Sequence, residues 1–430
     1  MRPRANDVAL VRAVGFWTLA ASIVNVTIGG SIFALPGALA ASMGSAAALA
    51  FVLGALLFVP IAICFAAAGS RITATGGPYR YVDAAYGRYP GFLVAFLFWI
   101  SNVAGSGGLA AAFADQLTHL FPQIAQPLPR DLVMFAVYAV LTALNARGVK
   151  VGSAAIVIFA LAKILPLVAL VAAGIHYVNP GNLRISAVPT FTAVGSSLVA
   201  VVFAYSGLET ALSPSGEVKN AAVVVPKATL VGVMVVVGLY ISVQVVAQGV
   251  LGAHLRGNAA PLLTVADKLF FDVGGLLVVV TASVSLLGCL HGDILGSSRL
   301  LYALAHDRLL PAWLAQVSIG QRVPMLAVVT HALSAWVLAV AGSFTTLALL
   351  SGGVFCLVYI ATCASAWKLQ RLKIGDTGKP FLIPGGAALP LVAIVGLIAI
   401  LATLNRAEWL AIVSAILFAT VLYFLRMQVK

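Results

Sequence analysis

The sequence predicts an all-α integral membrane protein with about twelve transmembrane helices, of which the first and the sixth are broken. Hydrophobic residues make up 62% of the 430 residues and charged residues only 9%, whereas a soluble domain carries about 25% charged residues. Apolar segments long enough for helices of about 20 residues recur along the chain. Two of them carry glycines and hydroxyl residues at their centres, which a helix that only spans the bilayer does not need.

The first break lies in the stretch 27–36, which has Gly29, Gly30 and Ser31 near its centre. Glycine permits non-helical backbone and the close approach of another group. Such backbone is tolerated at membrane depth only where protein buries it or where it lines a wet cavity. A helix that restarts near Ser31 would direct its unpaired N–H groups and its positive dipole end towards an anion such as a carboxylate. A close contact between two helices through small residues is the alternative.

The second break lies at residues 203–209, which read Phe-Ala-Tyr-Ser-Gly-Leu-Glu and are followed by Pro214 and Gly216. Interrupted helices at corresponding positions of two halves of a transporter indicate a binding site between them. The pair of breaks therefore favours a central site over packing alone.

The spans divide the basic residues very unequally between the two sides of the membrane. Nineteen of the 25 lysines and arginines fall on the side of the N-terminus and five on the other, which leaves Lys163 inside a span. Cytoplasmic loops carry such an excess, so we expect both termini in the cytoplasm and a location in the cell inner membrane. This bias explains the net charge of +13, and we expect no nucleic-acid partner. The predicted spans are 12–39, 44–69, 91–119, 131–147, 151–177, 192–216, 227–252, 275–305, 323–342, 344–368, 384–404 and 407–427.

Lys163 lies in the middle of span 5, where a polar group requires a reason because burial in the membrane is costly. An unpaired cation there costs several kcal/mol. The lysine can pair structurally or reach the interface, or it can serve as a fixed or proton-switched cation. We favour the second role.

Asp293 lies in span 8, two residues after His291. Two residues turn a helix by about 200°, so these side chains do not share a face and are not expected to form a metal pair. Asp293 can bind a substrate ammonium, pair with Lys163, carry a proton, or partner another polar group. Glu209 begins the second half of span 6, where the helix dipole favours a carboxylate, and it can act as a cap.

Two further polar positions point towards the same centre. Asn102 and Ser106 are four residues apart in span 3 and so share one helix face, where they can bond a neighbouring helix. Residues 204–206 should present freed carbonyls to an amine, and Phe203 or Tyr205 can form an aromatic lid. No zinc spacing, phosphate loop or nucleophile motif appears, so we expect no enzyme activity, no cofactor and no metal.

Seven short motifs in the expected order make the chain resemble the amino acid–polyamine–organocation (APC) family of secondary transporters. The motifs lie at 29–33 (Gly-Gly-Ser-Ile-Phe), 76–81 (Gly-Gly-Pro-Tyr-Arg-Tyr), 145–150 (Asn-Ala-Arg-Gly-Val-Lys), 163–167 (Lys-Ile-Leu-Pro-Leu), 203–209, 216–220 (Gly-Glu-Val-Lys-Asn) and 298–307 (Ser-Arg-Leu-Leu-Tyr-Ala-Leu-Ala-His-Asp). The chain departs from the family pattern at Ser31, where a glycine is usual, and at Asp293, where a substrate-facing aromatic residue is often found.

The resemblance implies a LeuT-like fold in a single transporter domain over 1–430. Two inverted five-helix halves would span about 12–177 and 192–368, with peripheral helices at 384–427. It also implies alternating access around a site at the membrane midplane. Lys163 would take the place of a sodium ion and bridge spans 1, 5 and 8, so transport would be sodium-independent. Glu209 would have a gating role, and Asn102 would lie near the substrate, which is the alternative to a contact with a neighbouring helix.

We therefore expect an amino acid permease, either a proton symporter or an exchanger (antiporter), whose partners are a small-molecule substrate, protons and membrane lipid. The alternatives are a transporter of polyamines or other organic cations and a sensor that binds amino acids without transporting them. The residues expected at the substrate site are Ile28, Gly29, Gly30, Ser31, Ile32, Asn102, Phe203, Ala204, Tyr205, Ser206 and Asp293. Those expected to couple or gate transport are Lys163, Glu209 and Asp293.

Overall fold

The computed structural model describes residues 12–118, 121–270, 272–342, 344–375 and 379–428, and these are very largely helical. In a bilayer every backbone polar group needs a partner within the protein, and a helix supplies one from its own segment. Within the described residues, extended pairing is limited to an isolated bridge between Val14 and Val218.

The helices of the first half are α1 Phe16–Thr27, α2 Ser31–Met43, α3 Ala47–Arg71, α4 Pro78–Tyr86, α5 Arg88–Leu117, α6 Pro127–Ala146 and α7 Val149–Gly174. Those that follow are α8 Phe191–Tyr205, α9 Leu208–Leu212, α10 Ala221–Leu251, α11 Pro261–Phe270, α12 Asp272–His306, α13 Met325–Ala341, α14 Phe344–Arg371, α15 Ala388–Leu401 and α16 Arg406–Gln428.

These helices account for the twelve predicted spans. Helices α1 and α2 form the first span on either side of its break, and α8 and α9 form the sixth. Helices α4 and α11 are too short to span, and each remaining helix forms one span. Within the described ranges, nine segments are long and apolar enough to cross a membrane, and three shorter apolar helices accompany them. The predicted fold class, a multi-pass all-α protein of the LeuT-like kind, is confirmed, whereas the boundaries of its two inverted halves stay a prediction.

The two breaks meet at the centre of the molecule. Helix α1 ends at Thr27, and α2 begins at Ser31 after Gly30. In the other break, Gly207 separates α8 from α9 with a φ of +129°. A Cβ atom at Gly207 would lie only 2.8 Å from the backbone nitrogen of Thr27. The absence of a side chain at Gly207 therefore lets the two broken spans cross in backbone contact.

A buried ion pair closes the N-terminal side of the molecule beneath the breaks. The Arg299 Nε atom of α12 lies 2.8 Å from Glu217 Oε1, and both side chains are at most 1% exposed. The Glu217 carbonyl accepts the N–H groups of Ala13 and Val14, and the Lys219 N–H donates back to Val14. The chain before span 1, the segment after span 6 and span 8 are thus held together.

The loop helix α4 is tied to the end of α12 on the same side. The carboxylate of Asp307 accepts from Tyr79 and Arg80, and Arg88 donates to the Asp307 carbonyl at 2.9 Å. Burial by itself would raise the pKa of Asp307, but hydrogen bonds and charge from His306, Arg80 and Tyr79 outweigh it and hold this pKa below its ordinary value. Asp307 therefore stays ionised and anchors the loop.

Candidate binding site between the broken helices

A cavity of about 50 Å³ lies where the two breaks cross. Its walls come from spans 1, 3, 6, 8 and 10. A cavity between helices that is lined by convergent polar groups is a candidate ligand site. The polar lining residues are Thr27, Ser31, Ser101, Asn102, Ser106, Ser206, Glu209, Thr210, Asp293 and Ser351, and the apolar lining includes Phe203 and Phe355.

The backbone of the first break offers free N–H groups to this cavity. The amides of Ile28 and Gly29 already donate to backbone carbonyls at 2.9 Å. The amides of Gly30, Ser31 and Ile32 have no acceptor in the described part of the chain, as expected for the first residues of a helix. Gly29 and Ser31 line the cavity directly. The group available to an anion is therefore the start of α2.

The backbone of the second break offers carbonyl oxygens. Those of Ala204, Tyr205 and Ser206 receive no hydrogen bond from the described residues, whereas the Phe203 carbonyl accepts from both the N–H and the hydroxyl of Ser206. Phe203 and Ser206 line the cavity, and Ala204 and Tyr205 do not. The Tyr205 hydroxyl instead donates to the Phe51 carbonyl at 3.1 Å. Of the two aromatic lid candidates, only Phe203 faces the cavity.

Lys163 bridges three spans through backbone carbonyls. Its Nζ donates to the carbonyls of Asn25 at 2.9 Å, Ile28 at 2.7 Å and Ser285 at 3.0 Å. These bonds use all three donors of the ammonium group. The Ser285 hydroxyl also donates to the carbonyls of Ile28 and Gly29. The fully buried lysine thus joins span 5 to spans 1 and 8 behind the first break, in the arrangement that the resemblance implied.

Asp293 does not pair with Lys163. Its Oδ1 accepts the hydroxyl of Ser297 at 3.0 Å, and its Oδ2 lies 2.8 Å from Nε2 of His331 on span 9. No described carboxylate lies within ion-pair distance of Lys163. Of the roles open to Asp293, pairing with Lys163 is excluded, and a structural pairing with His331 is present.

His291 belongs to a different contact. Its Nδ1 lies 3.0 Å from Nδ2 of the Asn145 side chain, and its Nε2 lies 3.2 Å from the Gly152 carbonyl oxygen. This places the histidine on the face of α12 opposite Asp293, as the helical angle predicts. Among the described residues, no group of three histidine, cysteine or carboxylate side chains is arranged to hold a metal.

Glu209 caps the second half of span 6 and also contacts span 10. Its Oε1 accepts the Gly207 N–H at 2.7 Å, and its Oε2 accepts the Tyr359 hydroxyl at 2.9 Å. The carboxylate is fully buried and lies in the cavity wall. The cap geometry and the contact to span 10 that a gate requires are therefore present together.

Asn102 and Ser106 both line the cavity, and each also bonds a neighbouring helix. Asn102 donates to Ser297 at 2.7 Å and accepts from Thr210 at 3.2 Å. The Ser106 hydroxyl lies 3.1 Å from that of Tyr138. Substrate contact and helix contact, the two alternatives for this face of span 3, are thus compatible.

Sequence reasoning missed several side chains that complete the site. Tyr240 on span 7 donates to the Thr27 carbonyl at 3.0 Å, and Tyr359, Ser285, Thr210, Ser297 and His331 make the contacts given above. Each is an ordinary polar residue within an apolar span. The sequence offered one indication of these contacts, because a histidine within span 9 is costly to bury in the membrane unless it has a partner.

The close approach at Gly207 gives a stability prediction. Gly207→Ala should lower the free energy of unfolding by about 1–3 kcal/mol, because the methyl group would press on the Thr27 backbone and a positive φ disfavours a side chain. Thermal unfolding of the purified protein in detergent measures this. Gly238→Ala is the control, since a Cβ at Gly238 meets nothing within 4 Å. Equal melting of the two variants would contradict the proposed contact.

Comparisons with known proteins agree with the predicted resemblance. The serine/threonine exchanger SteT of Bacillus subtilis (strain 168) is 27% identical over 405 residues, which cover 91% of this chain and 90% of SteT. The branched-chain amino acid permease BcaP of Lactococcus lactis subsp. cremoris (strain MG1363) is 23% identical over 429 residues, with 92% and 91% covered. The cationic amino acid transporter 9, chloroplastic, of Arabidopsis thaliana is 25% identical over 336 residues, with 74% and 59% covered. The family described as amino acid permease matches residues 14–425, and the chain therefore belongs to this family of multi-pass membrane proteins.

Proposed function

We propose that the protein is a secondary transporter of small neutral amino acids that works by alternating access around the cavity between the broken spans. The observation that carries this proposal is the pairing of free N–H groups at the start of α2 with free carbonyls at the end of α8. An amino acid zwitterion has the complementary groups, a carboxylate and an ammonium. Membership of the amino acid permease family supports the same conclusion.

The helix ends give this arrangement its polarity. The start of α2 combines unpaired amides with the positive end of a helix dipole, which favours the substrate carboxylate. The end of α8 combines free carbonyls with the negative end of a dipole, which favours the ammonium group. We assign the carboxylate to the free amides at the start of α2, of which that of Ser31 belongs to a cavity-lining residue, and the ammonium to the free carbonyl of Ser206, which also lines the cavity.

The substrate side chain is then limited by the rest of the cavity. Hydroxyl groups of Ser101, Ser106 and Ser351 face it, while Phe203 and Phe355 restrict its size. A small polar or methyl side chain fits this lining better than a large aromatic or long basic one. The relative SteT is named as a serine/threonine exchanger, and we propose serine, threonine and alanine as the preferred class.

The contacts of Lys163 support sodium independence. Its ammonium group already occupies three carbonyls behind the first break, which are ligands that a sodium ion would otherwise use. We propose that driving force comes from protons or from substrate exchange. The excess of basic residues in the loops on the N-terminal side supports cytoplasmic termini in the cell inner membrane.

A cationic substrate is the second candidate, and Asp293 is the observation that favours it. This carboxylate lies in the cavity wall, and one relative is named as a cationic amino acid transporter. However, both carboxylate oxygens of Asp293 already have partners in Ser297 and His331. A second ammonium group would have to compete with them, so we place the neutral class first.

Counterflow in proteoliposomes tests the proposal. We expect vesicles loaded with unlabelled L-serine to take up labelled L-serine, with the same rate when choline replaces sodium. L-threonine and L-alanine should compete, whereas L-tryptophan, L-arginine and putrescine should not. Empty liposomes are the control. Binding without counterflow would favour a sensor, competition by arginine or putrescine would favour the cationic class, and a sodium requirement would contradict the role of Lys163.

A further inference from the structure

A chain of four hydrogen bonds runs from the sixth span to the ninth through the cavity wall. The Thr210 hydroxyl donates to Oδ1 of the Asn102 side chain at 3.2 Å, and Nδ2 of the same side chain donates to the Ser297 hydroxyl at 2.7 Å. Ser297 donates to Asp293 Oδ1 at 3.0 Å, and His331 Nε2 lies 2.8 Å from Oδ2. Every donor in this chain points towards the Asp293 carboxylate. The direction is that expected around an anion, since bonds to a charged acceptor are the stronger ones.

The surroundings of His331 identify its charge state in this arrangement. The side chain is fully buried, and its Nδ1 has no hydrogen-bond partner among the described residues. An imidazolium would place an N–H donor, and with it a buried charge, at this unpartnered position, which is more costly than a bare lone pair. A neutral ring that carries its proton on Nε2 and donates to Asp293 fits best. The pair therefore holds a negative charge at the cavity, on Asp293.

The other titratable groups near Asp293 are differently placed. Glu209 of α9, Tyr138 of α6 and Cys289 of α12 are close enough to interact with its charge. Glu209 is bonded by its own helix end and by span 10, and Lys163 of α7 is bound to backbone carbonyls. Asp293 is the carboxylate that the chain of four hydrogen bonds links to both the sixth and the ninth span.

We infer that Asp293 and His331 form a proton-binding dyad whose charge is communicated to the broken sixth span through Ser297, Asn102 and Thr210. This inference rests on the proposed transport function and adds the site of proton coupling to it. His331 is a positioning residue in the dyad, because it touches Asp293 and does not line the cavity.

The proton step is a simple transfer. A hydronium ion that reaches the cavity transfers its proton to a carboxylate oxygen of Asp293. One O–H bond of the hydronium ion breaks, the new O–H bond neutralises the carboxylate, and a water molecule is left. Ser297 then loses its charged acceptor, and its hydroxyl can turn to the carbonyl four residues before it, as serine does within helices. The bonds that reach Thr210 lose their charge assistance. The second half of span 6 is thereby released from spans 3 and 8, and deprotonation restores the link.

Variants at both ends of the chain test the inference in proteoliposomes with L-serine as substrate. His331→Leu removes a donor from the Asp293 anion, so the midpoint of the pH profile of uptake should move up by about one pH unit, whereas His331→Gln, which keeps a donor, should stay near the unmodified protein. Thr210→Val should lower accumulation driven by a pH gradient about fivefold or more relative to counterflow, which is measured in the same vesicles because Thr210 also lines the cavity. Thr330→Val and Thr362→Val are matched controls, because each hydroxyl bonds only a carbonyl of its own helix.

The outcomes separate the inference from the function on which it rests. Absence of serine counterflow in the unmodified protein would overturn the proposed function. Counterflow with a flat pH profile, or unchanged profiles and accumulation in both His331→Leu and Thr210→Val, would overturn the dyad alone. If a variant loses counterflow, its thermal unfolding shows whether it is still folded. The pH profile of His331→Gln is then the deciding measurement. A His331→Gln profile unlike that of the unmodified protein would also contradict the inference.

Discussion

Replacing Lys163 by methionine is expected to lower serine uptake by at least about 100-fold. The ammonium group donates to three buried carbonyls, of Asn25, Ile28 and Ser285. A buried polar group that loses its partner costs about 1–3 kcal/mol, and 1.4 kcal/mol corresponds to a factor of ten. Methionine has a similar length but no donor, so the first break would lose the cation that holds it against spans 5 and 8. Initial rates in sodium-free proteoliposomes measure the effect.

The control for this experiment is Lys268→Met, which removes an exposed lysine on α11. We expect it to transport like the unmodified protein. Thermal unfolding of both variants separates a general loss of folding from a loss specific to the break. If Lys163→Met kept half of the uptake rate, the lysine would have no part in holding the transport site.

Breaking the buried pair between Glu217 and Arg299 should have the largest effect on stability. Both side chains are at most 1% exposed, and the pair joins span 8 to the segment after span 6. Removal of one partner leaves an uncompensated buried charge, which costs about 3–5 kcal/mol. Glu217→Gln and Arg299→Met should therefore each lower the free energy of unfolding by about this amount. The folded fraction that remains after heating in detergent measures this loss of stability.

An exposed pair provides the comparison for this prediction. Asp115 and Arg130 lie 2.9 Å apart with side chains 57% and 21% exposed, so Asp115→Asn should cost about 1 kcal/mol or less. The double variant of Glu217→Gln with Arg299→Met removes both buried charges. It should be more stable than the sum of the single losses predicts. Equal losses at the buried and the exposed pair would contradict the inference that Glu217 and Arg299 lock this side.

The sequence alone was sufficient for the features that stand out against an apolar background. Glycines and hydroxyl residues inside two apolar runs predicted the broken first and sixth spans, and a cation in the middle of a span singled out Lys163. The twelve spans followed from the length of the apolar segments. These inferences need only the cost of placing polar or flexible residues in a bilayer, which acts on each segment separately.

The partners of the site residues were decided only by the tertiary structure. Neighbouring residues point about 100° apart around a helix, so the rotation of α8 in the bundle determines that Phe203 faces the cavity and Tyr205 faces away. The same holds for His331, which meets Asp293 from a helix 38 residues further along the chain. Each helix could satisfy its own backbone in many orientations. The packing of all spans together selects one of them, and with it the side chains that share the cavity.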